Sequence, residues 1–227
     1  METHVMVLAV AVAFTAVLSW FAIARGDHVV DVITRPTFPV LLGGLAWSLA
    51  TGAGGADAGI ASDPAAVLQP VLVALALQLV VDALLLTATE RRYLLALWVS
   101  VLAHIAWAWA VVSSPGSAGF RWWVPVALLG LGVLHGRWGR DVVRFSGRQR
   151  GLVLLQLLSL AVLVVVAAWQ QDREVLGGSG LLLASYLLLG HDRFVRERRW
   201  APVLVLVLYH SALALLVVGL LGATASG

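Results

Sequence analysis

From Val5 to Ala24 the chain runs through twenty residues without a charge, and comparable apolar runs recur almost to its end. About 20 apolar residues is the length that carries a helix across a bilayer core. Lipid offers no hydrogen-bond partners, so only helices and closed barrels can place backbone there. Barrel strands alternate apolar and polar positions in segments of about ten residues. Here the runs are continuous and rich in Leu, Ala and Val, which predicts helices. Composition points the same way: 12% of residues are charged, against about 25% in soluble domains. Residues 1–227 therefore read as a single integral membrane domain, an all-α polytopic helix bundle.

Eight segments are expected to cross: Val5–Ala24, Thr37–Thr51, Ala66–Thr87, Tyr93–Val112, Trp122–Leu134, Gly151–Trp169, Val175–Gly190 and Pro202–Leu221. The second, fifth and seventh are short and rely on flanking residues or on longer neighbours. The loops support all eight. Arg25, Arg35, Arg91, Arg92, five arginines between 137 and 150, and four between 193 and 199 fall on one side. Arg121 and Arg173 fall on the other. The positive-inside rule makes the first side cytoplasmic and puts both termini outside. Met1-Glu2-Thr3-His4 lacks the basic start of a signal peptide, so the first run is expected to be a mature helix in the cell membrane. The basic charge, all arginine, belongs to topology and lipid headgroups rather than to nucleic acid. Trp20, Trp122, Trp123, Trp138, Trp169 and Trp200 sit where an aromatic belt would, and Trp47, Trp98, Trp107 and Trp109 are expected to pack between helices. Thr51–Pro64 reads as an outer loop. Cysteine is absent, and no metal-ligand spacing or nucleotide loop appears, so no metal or cofactor is expected.

Against this background Asp82 stands out. It lies inside Leu79-Val80-Val81-Asp82-Ala83-Leu84-Leu85, where an ionisable group is expensive and by default marks a functional site. Gln78, one turn earlier, shares its helix face. The other inner polar residues are Ser100, His104, Gln156, Ser159, Ser185, Tyr186, Tyr209 and His210. At a rise of ~1.5 Å per residue, Asp82, Tyr186 and Tyr209–His210 lie roughly 8–12 Å from the cytoplasmic ends of their helices, with His104 near the midplane. Each also has a plainer reading. Asp82 and the histidines would bond across to a neighbouring helix, the tyrosines would pack, and Gln156 and Ser159 would join helices.

Four stretches carry a resemblance to a known family: Thr34-Arg35-Pro36, Gln78-Leu-Val-Val-Asp82-Ala-Leu-Leu, Leu102-Ala-His104-Ile-Ala-Trp107, and Gly180-Leu-Leu-Leu-Ala-Ser185-Tyr186 running on to Asp192-Arg193-Phe194. In this order, with Tyr209 in a last span, the chain resembles the YhhN-type, lysoplasmalogenase-like membrane proteins. It departs from them at Tyr186, where a second aspartate is usual, and at Leu213, where a glutamine is usual.

The resemblance implies hydrolysis of the vinyl-ether bond of a lysoplasmalogen, a lysophospholipid substrate met among membrane lipids, to a fatty aldehyde and a glycerophospho-headgroup. Such a site needs a proton donor, a negative charge beside the developing cation and a positioned water. Asp82 is expected as the general acid, with His104 or His210 acting on water. Gln78, Tyr186 and Tyr209 would line the substrate, and Arg35 would pair with its phosphate. The alternatives are a lipid-binding or lipid-moving protein of the same fold without the reaction and, third, a small proton-coupled transporter.

Overall fold

Pro36 and Pro39 would end a helix in a soluble chain. In a membrane bundle prolines are tolerated, and here the helix runs through both, from His28 to Gly52. The computed structural model describes residues 3–52, 64–87, 89–114 and 122–222. These form α1 (Thr3–Arg25), α2 (His28–Gly52), α3 (Pro64–Leu85), α4 (Glu90–Ser113), α5 (Trp123–Leu134), α6 (Arg140–Phe145), α7 (Arg150–Gln170), α8 (Arg173–Phe194) and α9 (Ala201–Gly222). No strand occurs among the described residues. Residues 53–63 of the expected outer loop lie outside them.

Six helices are long and apolar enough to cross a membrane: α1, α2, α3, α4, α7 and α9. The two remaining expected segments are helical but differ in kind. α5 is short, and a π-turn, His135–Gly139, carries it on into α6. α8 has 22 residues, but Arg173 and Glu174 open it and His191, Asp192 and Arg193 close it. Asp172 caps α8 by accepting the Val175 N–H at 2.9 Å, which satisfies a donor the first turn leaves free.

The helices close a ring, α1–α2–α3–α4–α7–α8–α9 and back to α1. α9 also touches α2 and α3, while α5 and α6 pack on α7 and α8. The α8–α9 contact is close because it is made at glycines. A Cβ on Gly178 would stand 2.9 Å from the Ala212 carbonyl oxygen, and one on Gly219 would meet Val175 at 2.8 Å. Small residues at such crossings bring helices together by packing where lipid supplies no hydrophobic drive.

One expectation about the tryptophans is corrected. Trp107 is fully buried, but Trp47, Trp98 and Trp109 are 57, 54 and 52% exposed. In a soluble fold large rings at mid-helix would be core. Here the outer surface is itself apolar, with Phe14, Leu102, Ile105 and Val165 beside them in exposure, so depth in a span does not decide which way a ring faces.

Candidate active site

Asp82 is near the end of α3, four residues after Gln78, and both are buried. The phenol of Tyr209, on α9, donates to Asp82 Oδ2 at 3.0 Å. Tyr209 also lies 3.3 Å from Gln78 Oε1, and the Tyr186 phenol of α8 lies 3.5 Å from that same oxygen. A phenol has one proton, and the shorter contact assigns Tyr209's to the carboxyl. Among the described residues Asp82 Oδ1 has no hydrogen-bond partner. Three helices distant in sequence thus meet around Gln78 and Asp82.

In front of it lies a cavity of about 220 Å³. Asp82, Ser185, Tyr186 and Tyr209 form its polar inner wall, and Val81, Leu85, Leu189, Val205 and Leu206 its apolar sides. Arg35, Thr87, Tyr93, Arg193 and Pro202 complete it. Thr87, Tyr93, Arg193 and Pro202 belong to the ends of α3, α4, α8 and α9 that carry the arginine-rich turns. The cavity therefore lies toward the arginine-rich end of the bundle. Ser185 does not offer its proton to it, because its hydroxyl donates to the Val205 carbonyl at 2.9 Å.

Arg35 is held from within its own helix. Its Nε and Nη2 donate to the two oxygens of Asp31 at 3.1 and 2.8 Å, a bidentate pair one turn apart. Asp31 is buried, and nothing in the sequence reading singled it out. The signal was the i, i+4 spacing, which falls before Thr37, where span two is expected to begin.

His104 and His210 do not line the cavity. His104 is fully buried behind Tyr186, its ring edge-on at 5.0 Å between centroids. There it belongs to a second polar cluster between α4 and α7. His104 Nδ1 meets Ser159 Oγ at 3.0 Å, and Ser100 donates to Gln156 Oε1 at 2.8 Å. Gln156 and Ser159 thus join helices, as expected of them. Ser159 also donates to the Gln156 carbonyl at 2.8 Å. His210 sits in an aromatic box. Trp20 donates to its Nδ1 at 3.0 Å, and Phe38 stacks on it at 4.0 Å. The tautomer is therefore fixed, with the proton on Nε2. Asp192, six residues past Tyr186, accepts the Arg198 N–H at 2.7 Å. It holds the turn between α8 and α9 and does not line the cavity.

One carboxyl, three phenols and two arginines thus line a single cavity. Among the described residues, no group of three or more His, Asp and Glu side chains could hold a metal ion.

No curated protein and no solved structure gives a significant match to the chain. The model of the YhhN family matches residues 30–220, from the start of α2 nearly to the end of α9. That stretch contains every side chain of the cavity, and the chain belongs to the YhhN family.

Proposed function

We propose that the chain is a membrane-embedded hydrolase that cleaves the vinyl-ether bond of lysoplasmalogens. The observation that carries this is Asp82: one buried carboxyl, oriented by a phenol, in the wall of a cavity with apolar sides and arginines at its outer part. The family is consistent with such a hydrolase. The protein is taken to cross the cell membrane eight times, α5 and α8 included, with both termini outside.

A single carboxyl suffices for the chemistry. Protonated Asp82 gives its proton to the alkenyl carbon, and the double-bond electrons form the new C–H bond. The ether oxygen becomes part of an oxocarbenium ion, which the carboxylate left behind stabilises. Water adds to the cation and returns a proton to that carboxylate, so Asp82 ends as it began. The hemiacetal then collapses to aldehyde and alcohol. Tyr209 holds Asp82 Oδ2, which leaves Oδ1 to carry the transferred proton. Tyr186, beside it, holds the place of a second acid with a neutral donor. His104 and His210 stand one side chain back, behind Tyr186 and beside Tyr209. We give them the positioning of those phenols rather than contact with substrate.

A lipid-binding protein without the reaction is the second reading. What favours it is that Asp82 is the one carboxyl in the cavity wall among the described residues. Aldehyde release by the purified, detergent-solubilised protein separates the two. An alkenyl lysophospholipid should yield aldehyde, and its saturated alkyl-ether analogue should not. A folded protein that binds both and releases nothing is the binder.

A further inference from the structure

We propose that Arg193 is the anchor for the substrate's phosphate, and so selects single-chain lipids that carry a phosphodiester from neutral glyceryl ethers; this rests on the lipid reading above. Two arginines line the cavity, and they differ in what already holds them. Arg35 is clamped by both oxygens of Asp31 and largely buried, with 13% of its side chain exposed. The pair is close to neutral, and its best donors are taken. Arg193 is exposed, and no acidic side chain among the described residues pairs with it. Instead its guanidinium carbon lies over the ring of Tyr93, 3.7 Å from the centroid. A ring face steadies the cation without using its N–H donors, so the five-donor fork stays available to a phosphate. Tyr93 is itself buried and braced by Phe194 at 6.1 Å, which makes the platform rigid.

The spacing fits one molecule. Tyr186, Leu189 and Arg193 recur at three- and four-residue intervals along one face of α8 and all line the cavity. From Tyr186 to Arg193 the helix rises about 10 Å. In an alkenyl lysophospholipid roughly seven bonds separate the carbon to be protonated from the phosphorus, on the order of 8–9 Å when extended. With the phosphate on Arg193, the vinyl ether reaches the level of Asp82 and Tyr186. Thr87, also in the outer part of the wall, offers a hydroxyl there, although it already accepts from Arg92 at 2.6 Å.

The test is equilibrium binding of two inert probes to the purified full chain. One is a saturated 1-O-alkyl lysophospholipid, the other the 1-O-alkylglycerol with the same chain. Arg193→Ala should weaken the phospholipid about ten- to a hundred-fold, the range for a lost charge-assisted contact, and leave the alkylglycerol unchanged. Arg193→Lys should recover part of the loss, and Tyr93→Leu should show a smaller loss of the same selectivity. Inorganic phosphate should compete weakly if the site takes the anion alone, and not at all if the chain is also needed. Equal weakening of both probes, or no change in either, overturns the proposal. Because neither probe can be hydrolysed, a protein that releases no aldehyde but keeps this Arg193-dependent selectivity refutes the hydrolase reading and leaves the anchor standing.

Discussion

Tyr186 stands between two buried polar clusters that look alike in sequence and differ in structure. Toward the arginine-rich end of the bundle, Gln78, Asp82 and Tyr209 meet beside a cavity. On the other side, Ser100, His104, Gln156 and Ser159 pair across α4 and α7 and do not line that cavity. Both satisfy the rule that polar side chains in a span turn toward the bundle. Only the first combines an ionisable acid with room for a ligand. Polar residues within a span therefore do not mark a site by themselves, since the bundle also uses them to hold helices together. The cavity is what distinguishes the two.

The difference gives a graded set of expectations. Asp82→Asn keeps the shape and removes the transferable proton. Aldehyde release should fall by about 10²–10⁴-fold, the usual contribution of a general acid, while the thermal midpoint in detergent stays near that of the wild type. Tyr209→Phe removes the hydrogen bond to Oδ2 and should lower turnover by roughly tenfold, at about 1.4 kcal/mol for one such bond; an unchanged rate would mean the carboxyl needs no orientation. His104→Ala acts through Tyr186, so its effect on turnover should be smaller than that of either change. A loss as deep as that of Asp82→Asn would place His104 in the reaction and erase the distinction between the clusters. Gln156→Leu should leave turnover per folded molecule as it is and cost about 0.6–1.7 kcal/mol of stability, the range for interhelical hydrogen bonds in membranes, read as a lowered thermal midpoint.

Much of the cavity was legible in the sequence because its signal is local. An acid in an apolar run is conspicuous, and Gln78 on the same face follows from helical spacing. Tyr209 and His210 show the limit of that reading. They share a depth, but neighbouring residues on a helix are turned about 100° apart, so Tyr209 meets Asp82 while His210 enters the box of Trp20 and Phe38. Asp31 escaped because it lies before Thr37, the expected start of a span that in fact begins at His28. Arg193 escaped for a different reason. Its loop position made it one topological charge among many, and its contact with Tyr93 joins α8 to α4 across a hundred residues. No local pattern encodes that pairing, nor the outward turn of Trp47, Trp98 and Trp109.

Proton transfer to carbon at the Asp82 cavity is the central claim, and the isotopic composition of the product tests it most directly. The purified protein is given an alkenyl lysophospholipid in deuterated buffer, and the released aldehyde is trapped at once and weighed by mass spectrometry. One deuterium on the carbon next to the carbonyl, from the wild type and not from Asp82→Asn, is the predicted result. Hydrolysis of a vinyl ether always places solvent hydrogen on that carbon, so the variant decides: labelled product formed equally well by the Asp82→Asn protein would contradict the account.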